Sequence, residues 1–343
     1  MGISAALGSS ALLPAGLGFR NVVINGGFDV WQRGSSGTAI QSASASASFL
    51  ADRWSTYRST TGSTQSRISA SLDTFQYAIR IQRDSGNSAT NKIYLGTSFE
   101  TSTATKLANK PVVLSFYARA GSNFSASSSL LNVLLSSGTG TEANGIYTSF
   151  TSATSVVSTT ATLTTSWQRF IYYGVMPATS SQLLIQFDYT PVGTAGSNDY
   201  FDVTGVQLEQ NYQPTPFEQR PYGVELQLCQ RYFYAPNETD NNGYSHYGLG
   251  FAYSTTQAFF AFNTPVQMRV PITSSRVSYS TLRISDTVGA WAVTAISVSD
   301  YTKNRNTIQV DATIGTASLT SFRSALLQGN NSTSAYMRFD AEL

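Results

Sequence analysis

Alternation with a period of two is the feature that most limits the folds open to this chain. Tyr77, Ile79 and Ile81 oppose Ala78, Arg80 and Gln82. Val112, Leu114, Phe116 and Ala118 share one face of a second run, and Leu183, Ile185, Phe187 and Tyr189 one face of a third. Successive side chains of a strand point to opposite faces, so each run predicts a strand with one side in a core and the other toward water. The stretches between them, such as Gly121–Ser129 and Ser136–Gly145, are rich in Ser, Thr and Gly and read as turns and loops. Strands at this spacing, joined by polar turns, predict an antiparallel β-sandwich, with the Ser and Thr surplus on its outer faces.

Composition removes several alternatives. Charged residues make up 12% of the 343, while Tyr (19), Phe (19) and Trp (4) are abundant, which is the opposite of a disordered chain. A net charge of +2 supplies no basic field for tracking a nucleic-acid backbone, so no nucleic-acid partner is expected. One His (His246) and one Cys (Cys229) exclude His-rich and Cys-rich metal sites and any disulfide within the chain. No run of about 18 apolar residues is present, so no membrane insertion by a spanning helix is expected. Residues 1–18 are apolar and small, with the first basic residue at Arg20 and Ala6 where a myristoylation pattern needs Ser or Thr. This segment reads either as a frayed tail or as a short apolar peptide that docks into a partner.

The length suits two or three domains. Gln210–Tyr222 carries Pro214, Pro216 and Pro221, each restricting its neighbour, and predicts an extended linker. Val224–Tyr232 follows as the best helix candidate, with Leu228 and Tyr232 four apart, Glu225 early and Arg231 late. Cys229 reads as a small buried residue of that helix. Strand-like runs resume at Ala258–Phe262, Trp291–Val298 and Ala335–Leu343, where Ala335, Met337, Phe339, Ala341 and Leu343 line one face. The expected division is therefore 1–19 as docking peptide, 20–210 as a first β domain, 211–222 as linker, and 223–343 as a short helix with a second β domain.

The most specific segments lie in the first two thirds of the chain. Asn21-Val22-Val23-Ile24-Asn25-Gly26-Gly27-Phe28-Asp29-Val30-Trp31-Gln32-Arg33-Gly34 comes first, followed by Ala51-Asp52-Arg53-Trp54, Trp167-Gln168-Arg169-Phe170 and Asp202–Glu209. Thr215-Pro216-Phe217-Glu218-Gln219-Arg220-Pro221-Tyr222-Gly223 and Leu228-Cys229-Gln230-Arg231-Tyr232 complete the set, and Phe339-Asp340-Ala341-Glu342-Leu343 has the same character. In this order the segments resemble a family of bacteriophage virion proteins, usually tail-fibre or receptor-binding subunits with a carbohydrate-binding, galactose-binding-like jelly roll. The resemblance covers roughly residues 20–235. It implies an all-β fold, an antiparallel jelly-roll sandwich followed by the linker, short helix and second β domain. It also implies host attachment, a homotrimer, contacts with other phage virion proteins, and a place on the virion, in the tail or elsewhere on the particle surface.

Within these motifs the Asn25-Gly26-Gly27-Phe28 segment reads as a strand ending in a turn that needs glycine dihedrals. Trp31, Trp54 and Trp167, with Phe28, Phe217 and Arg220, read as fold anchors, the indoles expected to sit in the core with their N–H groups bonded. Aromatics in loops are the better candidates for contact with a host surface glycan: Tyr57, Tyr94 and Tyr147 in the first domain, and Tyr244, His246 and Tyr247 in the second. Modules of the resembled kind often hold a structural calcium, and the matching oxygen ligands here are Asn25, Asp29 and Asp202, although Gly27 stands where an acid is usual. The alternative is that both acids pair with Arg or cap turns. No other cofactor is expected.

No catalytic residues are expected. The chain lacks a G-x-S-x-G nucleophile motif, a P-loop and a G-x-G-x-x-G loop. Glycosidic cleavage needs two facing carboxylates, and Asp199, Asp202, Glu218 and Glu225 fall in segments better explained by structure. Two other functions remain open at this point: a structural subunit without a receptor, such as a head fibre, capsid decoration or connector-bound protein, and a polysaccharide-degrading fibre enzyme.

Overall fold

The computed structural model describes residues 19–34, 40–41, 48–58, 60–72, 74–146, 148–237, 242–299 and 304–343; the proposed docking peptide at 1–18 and Tyr147 lie outside them. In chain order the first domain contains β1 (Ile40–Gln41), β2 (Ser48–Phe49), β3 (Ser55–Arg58), β4 (Ser63–Leu72), β5 (Phe75–Arg83) and β6 (Ile93–Ser98). Helix α1 (Thr101–Leu107) precedes β7 (Pro111–Ala120), β8 (Leu130–Gly138), β9 (Thr154–Thr162), β10 (Gln168–Val175), β11 (Gln182–Tyr189) and β12 (Tyr200–Glu209). Two six-stranded antiparallel sheets result, ordered β1-β4-β5-β12-β7-β10 and β2-β3-β6-β11-β8-β9. The chain passes repeatedly from one sheet to the other, among other places on either side of β6 and of β11, as in a jelly roll. The fold is all-β.

Parity along the strands builds the core. Ile79 and Ile81 of β5, Leu114 and Phe116 of β7, Leu183, Ile185 and Phe187 of β11, and Phe201 and Val203 of β12 meet between the sheets, all buried. Burial of such side chains contributes about 1.5–3 kcal/mol each. Tyr189 closes the same face, its ring edge-on to Phe201 at 5.8 Å. Helix α1 was not expected from the sequence. It is rich in Thr, and it is held by burial of Ala104 and Leu107 and by the Glu142 carboxylate accepting from the Thr101 N–H (2.9 Å).

Residues 211–222 do not hang free between domains, as a linker would. Thr215 donates its N–H and hydroxyl to Glu209 (2.8 Å each), and the Glu218 N–H donates to Gln207 (2.8 Å). Helix α2 (Tyr222–Gln230) follows, starting two residues before the predicted span because Pro221 serves as its N-cap. Cys229 is buried on it, and burial pushes its thiol pKa well up.

The second domain comprises β13 (Phe233–Tyr234), β14 (His246–Ala252), β15 (Gln257–Asn263), β16 (Val277–Ser280), β17 (Leu282–Ser285), β18 (Ala290–Val298), β19 (Thr307–Ile314), β20 (Ser324–Gly329) and β21 (Tyr336–Asp340). Six of them close a barrel in the order β14-β15-β19-β18-β17-β20, while β13, β21 and β16 form a small sheet beside it. Phe260, Val310, Leu327, Met337 and Phe339 fill a core separate from that of the sandwich.

A buried polar seam joins the two domains. Arg33 bonds Asp52 (2.7 Å) and Glu342 (3.0 Å), and Arg53 pairs with the other oxygen of Glu342. Phe233 and Tyr232 lie under these guanidiniums at 3.7 and 3.6 Å. Glu100 accepts from Arg231 (2.7 and 2.9 Å) and from the Tyr232 hydroxyl (2.6 Å), and Arg269 bonds Glu142 (2.9 Å). Carboxylates shared among planar guanidinium donors fix an orientation that apolar contact alone leaves free.

Candidate functional site

The outer face of the second sheet carries a pair of tyrosines beside a network of polar side chains. Where Leu183, Ile185, Phe187 and Tyr189 of β11 point inward, Gln182, Leu184, Gln186 and Asp188 point out. Tyr57 and Tyr94 are register partners on β3 and β6, so two of the loop aromatics singled out above prove to be strand residues on this face. Their rings lie 5.6 Å apart at 46° and, with Ile146 and Phe150, cover Leu184. Beside them Asp188 accepts from Lys92 (2.9 Å), Asn132 (2.8 Å) and Gln186 (2.9 Å), so the floor is a neutral, fully bonded polar network. Burial, then the Asp188 charge, raises the Tyr94 hydroxyl pKa, so the ring stays neutral at physiological pH.

One end of this face is bounded by residues 139–151. Gln182 holds that segment by accepting from the Gly140 N–H (3.0 Å) and Thr151 N–H (3.2 Å) and donating to the Thr141 carbonyl (2.6 Å). Asn144 donates to Ser55 (3.3 Å), and the Gly145 N–H donates to Ser98 (2.9 Å). The result is a surface on which the half-buried rings of Tyr57 and Tyr94 stand beside Gln182, Gln186 and Asp188, whose side chains are buried and bonded beneath it. Such a surface can stack on the C–H face of a pyranose, with the exposed ammonium of Lys92 beside the rings as a hydrogen-bond donor.

The remaining candidates separate. Tyr244 is exposed on the second domain, with Arg283 at 4.5 Å from its ring, and His246 is exposed at the start of β14. Tyr247 is a correction: its ring is buried in the barrel core and its hydroxyl donates to the Ala335 carbonyl (2.6 Å), so alternation along β14 withdraws it from any ligand. Gln186, Asp188, Asn132 and Lys92 were missed, although the parity of β11 already marked Gln186 and Asp188 as outward.

Each anchor tryptophan donates its indole N–H to a carbonyl: Trp31 to Phe28 (2.5 Å), Trp54 to Asn25 (3.0 Å) and Trp167 to Ala70 (2.7 Å). Trp54 is in the core, its ring 4.9 Å from Phe28. Trp167 is a correction, since it lies on the outer face of the first sheet with Ala70, Phe75 and Phe217, stacked on Arg119 (4.7 Å). Arg220 clamps the start of the domain, donating to Val23 (3.1 Å) and to the Asn21 carbonyl.

The glycine-dihedral reading of Asn25–Phe28 is also corrected. The positive φ angles fall on Asn25 (56°) and Phe28 (57°), not on the glycines, and the segment is a turn. Gly26 is required for proximity instead, because a Cβ there would stand 2.1 Å from the Val206 carbonyl oxygen.

The calcium ligands suggested by resemblance do not suit an ion. Asp202 accepts from Arg80 (2.8 and 2.9 Å) and Arg119 (2.8 Å), which lie opposite it on the neighbouring strands. The Asn25 amide is occupied by Val30 and Asp52, and among the described residues no three His, Cys, Asp or Glu side chains are grouped to hold a metal. Calcium needs six to eight oxygens, and a carboxylate already neutralised by two guanidiniums has little to offer it.

Comparison with known proteins finds no matching family model and no matching curated protein. Among solved structures, the chain is similar to a family 4 carbohydrate-binding module (16% identity, 55% of this chain and 98% of that one, TM-score 0.32). It is similar also to the enzymatically active domain of tailspike protein 4 of bacteriophage CBA120 (10% identity, 56% of this chain and 22% of that one, TM-score 0.33). A third likeness is to a family 61 module solved with β-1,4-galactotriose (15% identity, 56% of this chain and all of that one, TM-score 0.33).

Proposed function

We propose that this chain is a bacteriophage virion subunit that attaches to the host by binding surface glycan along the outer face of its second sheet. The observation that carries this reading is the pairing of Tyr57 with Tyr94 above the Asp188 network. Aromatic rings fixed on rigid strands beside neutral hydrogen-bonding groups suit a neutral saccharide, and a net charge of +2 fits recognition that salt does not screen. The reading is of binding without catalysis. Two carboxylates must flank a glycosidic bond for it to be cut, and the acid of this face, Asp188, is engaged by three donors. Multiple copies, as in a homotrimer held to other virion proteins through the N-terminal segment, would turn weak single sites into firm attachment.

The test is binding of the purified chain to an array of bacterial surface polysaccharides, with inhibition of phage adsorption as the cellular readout. We expect binding to at least one polysaccharide, weakened roughly tenfold (about 1.4 kcal/mol) by Tyr57→Ala and by Tyr94→Ala, with melting temperatures little changed. Binding to none, or binding indifferent to both substitutions, overturns the reading. Capsid decoration without adsorption blocking favours the purely structural role, and release of oligosaccharide favours an enzyme.

A further inference from the structure

A second place in the molecule has the makings of a ligand site. A cavity of about 460 Å³ opens where the end of the β4–β5 hairpin, the turn at Asp29 and the entry into α2 meet. Its wall includes Asp29, Arg67, Phe75, Tyr77, Gln219 and Tyr222. It is distinct from the Tyr57 surface, since Arg67 and Tyr77 belong to strands of the other sheet.

Two charged groups in this wall have no direct charged partner among the described residues. Among the described residues the Asp29 carboxylate has no hydrogen-bond or ion-pair partner, in contrast to the bonded acids of the seam and of the Asp202 cluster. The Arg67 guanidinium lies over the Tyr77 ring, 4.3 Å from its centroid, and no described carboxylate comes within 4.0 Å of it. Asp29 and Arg67 therefore act on each other across the cavity without touching. Burial, reinforced by Glu225, holds the Asp29 carboxyl up at about 6, as befits an acid lacking a donor.

The remaining wall limits what can bridge them. Gln219 donates its amide nitrogen to the Thr74 carbonyl (2.6 Å), which leaves its oxygen as a further acceptor. Tyr222 is 59% exposed and offers a ring face. An acceptor and a planar donor of opposite charge, with aromatic surface between, suit a neutral ligand bearing several hydroxyls. The volume lies in the range of small-molecule sites and leaves room for one pyranose with its hydration. We propose that this cavity is a second saccharide site, taking one pyranose unit with its hydroxyls donating to Asp29 and accepting from Arg67. The inference stands apart from the reading of the Tyr57 surface and survives its failure.

The experiment uses the full chain carrying Tyr57→Ala and Tyr94→Ala, so that the Tyr57 surface contributes nothing. Saturation-transfer NMR and calorimetry are run with the methyl glycosides of glucose, galactose, mannose and N-acetylglucosamine. We expect saturable binding of at least one, weakened tenfold or more by Asp29→Ala and by Arg67→Ala at unchanged melting temperature. If Asp29→Ala or Arg67→Ala lowers the melting temperature, Arg67→Lys, which keeps the charge and loses the planar fork, decides, with the same tenfold loss expected. Absence of binding by all four glycosides overturns the proposal. So does binding that ignores the cavity substitutions, or stronger binding of free glycine or alanine than of any glycoside.

Discussion

Glu342 shows how much of this structure rests on single side chains. It is buried with one oxygen on Arg33 and the other on Arg53, and its removal leaves Arg53 without a carboxylate. Glu342→Ala should therefore destabilise the protein by about 3–5 kcal/mol, the cost of stranding a buried charge, whereas Glu342→Gln should cost less because it keeps an acceptor. Urea denaturation followed by tryptophan fluorescence measures both; a loss below 1 kcal/mol for the alanine variant would contradict this account. Gly26 makes a second case, since alanine there must displace the Val206 carbonyl. The sequence marked the Asn25–Phe28 segment as special but not for the right reason, because close approach of another strand leaves no trace in local dihedral preference.

At the level of elements, what was legible follows from parity. The alternation in β5, β7 and β11 placed the core residues except Tyr77, which lies half-buried beside Arg67, and except that Ala78 on the opposite face is buried as well. It did not place α1, whose helicity comes from packing and from Glu142, nor the closure of the barrel, which depends on pairings such as β14 with β20 that lie far apart in sequence. Tyr57 and Tyr94 were picked out as loop residues, and only the β3–β6 register brings them together. Both ends of the segment around Gly140 and Thr151 are tied to one amide, that of Gln182. Gln182→Ala should raise amide exchange at Gly140 and Thr151 by tenfold or more while lowering global stability by about 1–2 kcal/mol. Exchange mass spectrometry resolves this, and uniform protection across the segment would show that other contacts hold it.

Over the whole molecule, buried acids of two kinds set the pH response. Burial opposes ionisation of Glu342 and of Glu100, yet arginines (Arg53 and Arg33 for the first, Arg231 with the Tyr232 hydroxyl for the second) hold both below the ordinary value of 4.5. The stability they lend is present above that value and is lost as pH falls through it. Asp29 and Asp52 are raised by burial to about 6, so the folded state takes up protons more readily than the unfolded chain, and stability rises as pH falls from about 6 toward 4. The melting temperature should therefore peak at about pH 4 to 4.5, where the raised acids are largely protonated and the paired ones still ionised, and calorimetry from pH 3 to 8 will locate it. A maximum above pH 7 would mean that the raised acids contribute little.

The seam also has a mechanical consequence. Arg33 and Arg53 belong to the first turns of the sandwich, and Glu342 follows the last strand of the small sheet beside the barrel. Tension on the second domain is thus delivered through short, directional ion pairs to the turns that fasten Trp54 and Phe28. A greasy interface creeps under sustained load, whereas such bonds bear it until they fail together. Pulled by its barrel, this molecule should act as a stiff lever with a sharp yield point, not as two beads on a string.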